Sequence, residues 1–242
     1  MPRASKDQGS GTLAERAYRL VKQAILRGEF PEGAFLHEAE ILSRYSIGRT
    51  PFREACNRLH NEQLLEVVPR RGYYVPEPSF RTVRDLLETR IVLEGIAAEL
   101  AALRADAGNI EELERCYRAA LQTAKVRKNL DGLIEANRSF HLQIARMTKN
   151  RELEAILRGV LERCTRLVYL AASSSTEIPR DIETLLKPIV EAIRRRDTRA
   201  AHDAVVADIT GGQLRILGTD VWGDGAGVSR KTLPMEKGRS GK

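Results

Sequence analysis

Apolar residues recur at helical spacing along most of the chain. From Thr12, which reads as an N-cap, Leu13, Ala17, Leu20, Val21, Ala24 and Ile25 form one stripe that Gly28 stops. FPEGAFL reads as a turn and a short extended piece, and HEAEILSRY as a second helix with Ala39, Ile41 and Leu42 inward. SIG breaks the chain before IGRTPFREACNR, where Thr50 reads as N-cap and Pro51 as the first helical residue. Proline is tolerated there because its missing amide would have no intrahelical partner. Phe52, Ala55, Cys56 and Leu59 then share one face and Arg53, Glu54 and Asn57 the other, with Arg49 and Thr50 just ahead and His60 at the helix end. The period next changes. Residues 65–68 and 73–75 are β-rich runs separated by Pro69, Arg70, Arg71 and Gly72, a hairpin whose turn the glycine supplies.

PEPSF, with two prolines, leads out of this block. The rest reads as helices near 82–104, 109–127, 131–147, 151–173, 179–196 and 198–217, separated by breaks rich in Gly, Pro, Asn or Ser. In the first of these, Leu87, Ile91, Leu93, Ile96 and Leu100 are expected to face inward. The predicted fold is mainly α: a winged helix-turn-helix over residues 12–76, a linker at 77–81 and an all-α helical bundle over 82–218. Residues 1–11 and 219–242 lack periodicity and read as disordered ends, with Trp222 the one feature of the second.

Charge sharpens this picture only locally. The formal net charge is +7, a balance that ion pairing on helix surfaces also produces. From Arg44 to Arg71, however, six arginines face the three glutamates Glu54, Glu62 and Glu66. Cys56, Cys116 and Cys164 are far apart, odd in number and without a CxxC pair, which suits buried thiols in a reducing compartment. There is no apolar run long enough for a membrane span and no signal-peptide pattern at the start, so the expected location is cytoplasmic, with no membrane partner. A nucleophile elbow, Walker loop, GxGxxG and HExxH are all absent from the sequence, which argues against an enzyme.

The mouth of the third helix suits an anion. A helix N-terminus carries positive dipole, and here a hydroxyl and two arginines join it, as a phosphate on duplex DNA would require. Arg53 is the leading candidate to read a base, because arginine in the major groove pairs bidentately with guanine. Arg49 and Thr50 are candidates for phosphate or the adjacent base, and Glu54 either accepts from cytosine or orients an arginine. Asn57 shares the exposed face. Arg70 and Arg71 at the hairpin tip would meet the sugar-phosphate backbone, and Gly72 would permit close approach.

The stretch AILRGEFPEGAFLHEAEILSRYSIGRTPFREACNRLHNEQLLEVVPRRGYYV resembles the N-terminal domain of the GntR family of bacterial transcription regulators. RDLLETRIVLEGIAAELAA, FHLQIARMTKN and IVEAIRRRD resemble the helical C-terminal FCD domain of its FadR branch. Gly48 stands where the family commonly has serine, and His37 where a capping serine or proline is usual. The resemblance implies a homodimer on a pseudo-palindromic double-stranded operator, most readily as a repressor, controlled by a small effector such as a carboxylate or acyl-CoA-like metabolite. Many FCD domains hold a divalent metal through an Asp-x3-His pair and two later histidines. Those positions carry Asn137, His141, Leu186 and Asp208 here, a poor donor set, so no metal cofactor is expected, with His141 and Asp208 its only weak candidates. His202 lies on a different face of the last helix and reads as surface. The effector pocket implied is lined by Asn137, His141 and Asp208 with Arg90, which meets either an effector carboxylate or a nearby glutamate. The alternative is an effector-independent DNA binder whose pocket has decayed.

Overall fold

The computed structural model describes residues 12–126, 129–174 and 182–217. The two expected disordered ends, Trp222 and most of the SSSTEIP break lie outside them. The elements in order are α1 (Leu13–Leu26), α2 (Glu38–Tyr45), α3 (Arg49–Asn61), β1 (Glu66–Val68), β2 (Gly72–Tyr74), α4 (Phe80–Arg104), α5 (Ala107–Lys125), α6 (Leu130–Met147), α7 (Arg151–Ser174), α8 (Ile182–Arg194) and α9 (Thr198–Leu217).

The first three helices and the hairpin close around one core: Ala17, Val21, Ile25, Ile41, Phe52, Cys56, Leu59, Leu65 and Val75. Each large apolar side chain buried there contributes roughly 2 kcal/mol. The local signals act as expected at both ends of α1: the Thr12 hydroxyl accepts from the Glu15 amide at 3.2 Å, and Gly28 follows the helix at φ +67°. Two expected core positions lie outside. Leu13 is 70% exposed, because the first turn of α1 overhangs the core, and Tyr18 takes its place inside. Ala39 is exposed as well, leaving Ile41 as the buried residue of the short α2.

Thr50 is not the N-cap of α3. Gly48 is, and its carbonyl accepts from the Phe52 amide at 3.1 Å, which puts Thr50 and Pro51 inside the first turn. Pro51 thereby occupies the third helical position, where a capping side chain would otherwise find an amide. A glycine cap costs little in that setting. The hairpin pairs Glu66 with Tyr74 and Val68 with Gly72. Arg70 as well as Gly72 adopts positive φ, so the glycine does not make the turn alone. The extended piece anticipated in FPEGAFL adds a third short rung: Phe35 bridges Tyr74, and the Leu36 amide donates to the Tyr73 carbonyl at 2.8 Å.

The six remaining helices build a second core. Ser79 caps α4 by accepting from the Thr82 amide, so the last two residues of the expected linker, Phe80 and Arg81, are helical. Of the larger apolar residues expected on the inner face of α4, Leu87 is buried and Ile91 and Leu93 pack against the core, but alanines take the place expected of Ile96. Ala97, Ala98, Ala101 and Ala102 face the bundle, while Ile96 is 45% exposed. Small residues win because α4 crosses α9 closely: a Cβ on Gly95 would lie 2.8 Å from the His202 ring. His202 is accordingly partly covered rather than a surface residue, with its Nδ1 3.0 Å from an Asp203 oxygen.

Helix α7 joins the two bodies. One face packs Val160, Cys164 and Leu167 against Val83 and Leu87 of α4. The other grips the N-terminal body by polar contacts. Lys22 Nζ donates to Glu162 at 2.7 Å and to Glu62 at 2.8 Å, Arg163 donates to Gln63, and Arg166 donates to Glu32 and to the Pro76 carbonyl.

Candidate nucleic-acid interface and effector cluster

The buried face of α3 fixes which side chains point out. Phe52, Ala55, Cys56 and Leu59 are at most 2% exposed. The opposite face then carries Arg49, Arg53 and Asn57, spaced i, i+4 and i+8, in one exposed row. Thr50 is exposed beside Arg49. The row is flanked on both sides. Glu38, the first residue of α2, places one carboxylate oxygen 3.0 Å from Arg49 Nε and the other 3.5 Å from Arg53 Nε. On the other flank, the Tyr73 hydroxyl of the wing donates to Asn57 Oδ1 at 3.4 Å, and Tyr73 stacks edge-on against Phe52. The carboxylate that orients the arginines is therefore Glu38, contributed by a different helix, and not Glu54.

The six arginines of this region divide by role. Arg44 pairs with Glu29 at 2.6 Å, and Arg58 pairs with Glu15 at 2.9 Å while covering the Tyr18 ring, so both brace the body internally. Arg49 and Arg53 face out from the recognition helix, 72% and 59% exposed at their side chains. Arg70, Arg71 and Gly72 are exposed at the wing tip, where the Arg71 guanidinium lies 4.2 Å from the centre of the Phe35 ring. Cys56 lies behind the row as an inert thiol; burial, with the Glu38 charge adding to it, pushes it up to about 12.

The second cluster lies inside the helical body. Arg90 and Glu94 of α4 form a buried ion pair one helical turn apart. Glu94 also approaches His141 Nδ1 of α6 at 2.6 Å, and Asp208 of α9 approaches His141 Nε2 at 3.2 Å. These short contacts are not hydrogen bonds: neither ring nitrogen has a partner in acceptable geometry. Attraction here is by proximity of charge rather than alignment. Burial alone would push the His141 imidazolium down, but the Glu94 carboxylate, with Asp208 behind it, outweighs burial and raises it to about 9. Burial likewise works against the Glu94 carboxylate, yet Arg90 and then His141 hold it down at about 2.

Of the four positions that the family resemblance singles out, His141 and Asp208 meet, while Asn137 lies half-buried one turn before His141. Leu186 is fully buried in the apolar core. The donors present do not fit a divalent metal. His141 turns its two nitrogens to two different carboxylates, the Arg90 guanidinium adds a fixed cation, and no group of three or more His, Cys, Asp or Glu is arranged for one among the described residues.

A helix-turn-helix with an arginine-lined helix and a basic wing, carried on an all-helical body with its own polar cluster, defines a DNA-binding regulator. Comparison with known proteins agrees. Residues 13–75 match the gntR family of bacterial regulatory proteins and residues 85–211 match the FCD domain, so the chain belongs to the GntR family of regulators that carry an FCD domain. The HTH-type transcriptional regulator YdhC of Bacillus subtilis is 25% identical over 193 residues, 78% of this chain and 84% of that protein. The HTH-type transcriptional repressor GlaR of Escherichia coli is 26% identical over 199 residues, 77% of this chain and 87% of that protein. Among solved structures, E. coli McbR/YncC shares the fold with a TM-score of 0.74 at 21% identity, covering 86% of this chain and 98% of its own. The chain is thus a transcriptional regulator and not an enzyme. No helix among the described residues is long and apolar enough to cross a membrane.

Proposed function

We propose that the protein is a cytoplasmic repressor that binds a pseudo-palindromic operator as a homodimer, one α3 per half-site in the major groove. The observation that carries this reading is the exposed row Arg49, Arg53 and Asn57 on a helix whose opposite face is wholly buried. Arg53 reads a base, Arg49 and Thr50 hold the adjacent phosphate or base, and Arg70, Arg71 and Gly72 bring the wing onto the backbone. The uncapped N-terminus of α3, with glycine at the cap, leaves the first-turn amides of Arg49 and Thr50 for a phosphate. Dimerisation is supported by the second half of α4, IVLEGIAAELAAL, which is largely apolar. Ala97, Ala98, Ala101 and Ala102 fill the inner face, yet Val92, Ile96 and Leu103 are 63%, 45% and 62% exposed in a row on the outer one.

Arg90, Glu94, Asn137, His141 and Asp208 form the effector region in this reading. They work without metal, since the chain's own guanidinium stands among the carboxylates. The Arg90–Glu94 pair changes what an effector must do: an incoming carboxylate has to compete with Glu94 for the guanidinium. The same internal compensation favours the second reading, a constitutive DNA binder, because the charges of the cluster face one another without a ligand. The test begins by selecting a duplex from a random-sequence pool with the full-length protein. Arg53→Ala is expected to weaken binding to that duplex at least tenfold, given roughly 1–3 kcal/mol per bidentate base contact, with the fold intact. Unchanged affinity would remove α3 as the reader. Release of the wild-type complex by a carboxylate or acyl-CoA compound separates the sensing regulator from the constitutive one.

A further inference from the structure

We infer that Glu38 is a positioning residue for sequence reading: its single carboxylate holds Arg49 and Arg53 together and sets how strictly the recognition helix discriminates among DNA sequences. The inference rests on the reading of α3 just given.

The geometry has three parts. Glu38 is the first residue of α2, so it reaches the row of α3 from a neighbouring helix. Its two oxygens are divided between two arginines one helical turn apart, 3.0 Å from one Nε and 3.5 Å from the other. In each case Nε is the nearest nitrogen, in an ion-pair contact and not an aligned hydrogen bond. A carboxylate on the Nε side of a guanidinium leaves its paired terminal nitrogens for a second bidentate acceptor, the geometry that guanine O6 and N7 require. The carboxylate sits in the seam between α2, α3 and the wing, close enough that its charge pushes up both the Cys56 thiol and the Tyr73 hydroxyl, each already raised mainly by burial.

Fold stability does not explain the arrangement. The three side chains are 72%, 59% and 31% exposed, and ion pairs at such exposure contribute little. Two effects on recognition remain. Long, exposed arginines lose rotamer freedom when they dock, and a shared carboxylate restricts that freedom beforehand, so the correct site is bound with less entropic loss. Glu38 also leaves the pair of arginines with a net charge of one rather than two. That weakens sequence-independent attraction to phosphate, which scales with the positive charge engaged. Both effects act in the same direction, on the ratio of specific to non-specific affinity.

The experiment compares wild type, Glu38→Gln, Glu38→Asp and Arg53→Ala, all full length. Each is titrated against the selected duplex and a scrambled duplex over a range of salt concentrations. Glu38→Gln is expected to bind scrambled DNA more tightly and the selected duplex less tightly, so that the ratio falls at least tenfold. The salt slope on scrambled DNA should steepen by about one, the mark of one more charge engaged. Glu38→Asp, which keeps the charge on a shorter arm, should restore the salt slope and part of the ratio. A role confined to the start of α2 would lower the melting temperature of Glu38→Gln and leave the ratio and slope as in wild type. That result, or a ratio within twofold of wild type, overturns the inference. Arg53→Ala keeps the two failures apart. If it loses the selected duplex while Glu38→Gln behaves as wild type, Glu38 alone has been misread. If Arg53→Ala keeps full affinity, the reading of α3 falls and the inference with it.

Discussion

Glu94→Gln tests the account of the buried cluster most directly, because it removes one charge and almost no volume. The Glu94 side chain is 3% exposed, its partner Arg90 11% and His141 0%. Removing one partner of a buried ion pair costs about 3–5 kcal/mol, since the other charge is left uncompensated. An independent route gives a similar size. The Glu94 carboxyl is held at about 2, against about 4.3 for an ordinary glutamate, which corresponds to roughly 3 kcal/mol. At about 3 °C per kcal/mol for a domain of this size, the helical body should melt about 10 °C lower. The pH dependence carries the sign. His141 is raised to about 9, so its stabilisation is full below the unfolded value of about 6.5 and is lost as pH rises towards 9. Glu94 is depressed, so its own contribution is present above about 4.3 and is lost as pH falls towards 2. Wild type should therefore lose stability between about pH 6.5 and 9. Glu94→Gln should flatten that alkaline arm, because Glu94 is the chief group raising His141. Circular dichroism melts at neutral and alkaline pH measure both effects. A melting temperature within about 2 °C of wild type, with a parallel alkaline arm, would refute the argument.

Two further outcomes are expected. Ile96→Glu places a charge in the exposed apolar row of α4 and should convert a dimer to monomer in sedimentation equilibrium without unfolding the chain; an unchanged mass would take α4 out of the interface. Arg71→Ala at the wing tip should weaken binding to specific and scrambled duplexes alike and reduce the salt slope by about one, and an unaltered slope would separate the wing from the backbone.

Much of the fold was legible because its signals are local. Thr12 and Gly28 bound α1 by their own chemistry, and the spacing of Phe52, Ala55, Cys56 and Leu59 located the inner face of α3. What escaped depends on neighbours distant in sequence. Size suggested that Ile96 faces inward, but the close approach of α9 at Gly95 reserves that side for alanine. Thr50 looks like a cap because threonine favours that position, yet the helix starts two residues earlier than the proline implies. Glu38 is not legible from α3, because the carboxylate beside the arginines comes from another helix while Glu54 lies on their own. Arg90 is the opposite case. Its partner Glu94 lies four residues on, a spacing that places both on one helix face, so the ion pair was there to be read. The approach of His141 and Asp208 to that pair needed the packing of α6 and α9 on α4.

Lys22 has a consequence for engineering. Its ammonium, only 12% exposed, is shared between Glu62 of its own body and Glu162 of α7. The DNA-binding half is consequently not a portable module joined by a passive tether. Grafted onto another helical body, it would keep the Tyr18 and Glu62 partners of this cation and lose the third at the seam unless the acceptor helix supplied a carboxylate at the same height. The residues to transfer with the head are therefore Glu162, Arg163 and Arg166, and a chimera that leaves them behind trades a fixed docking angle for a swivelling one.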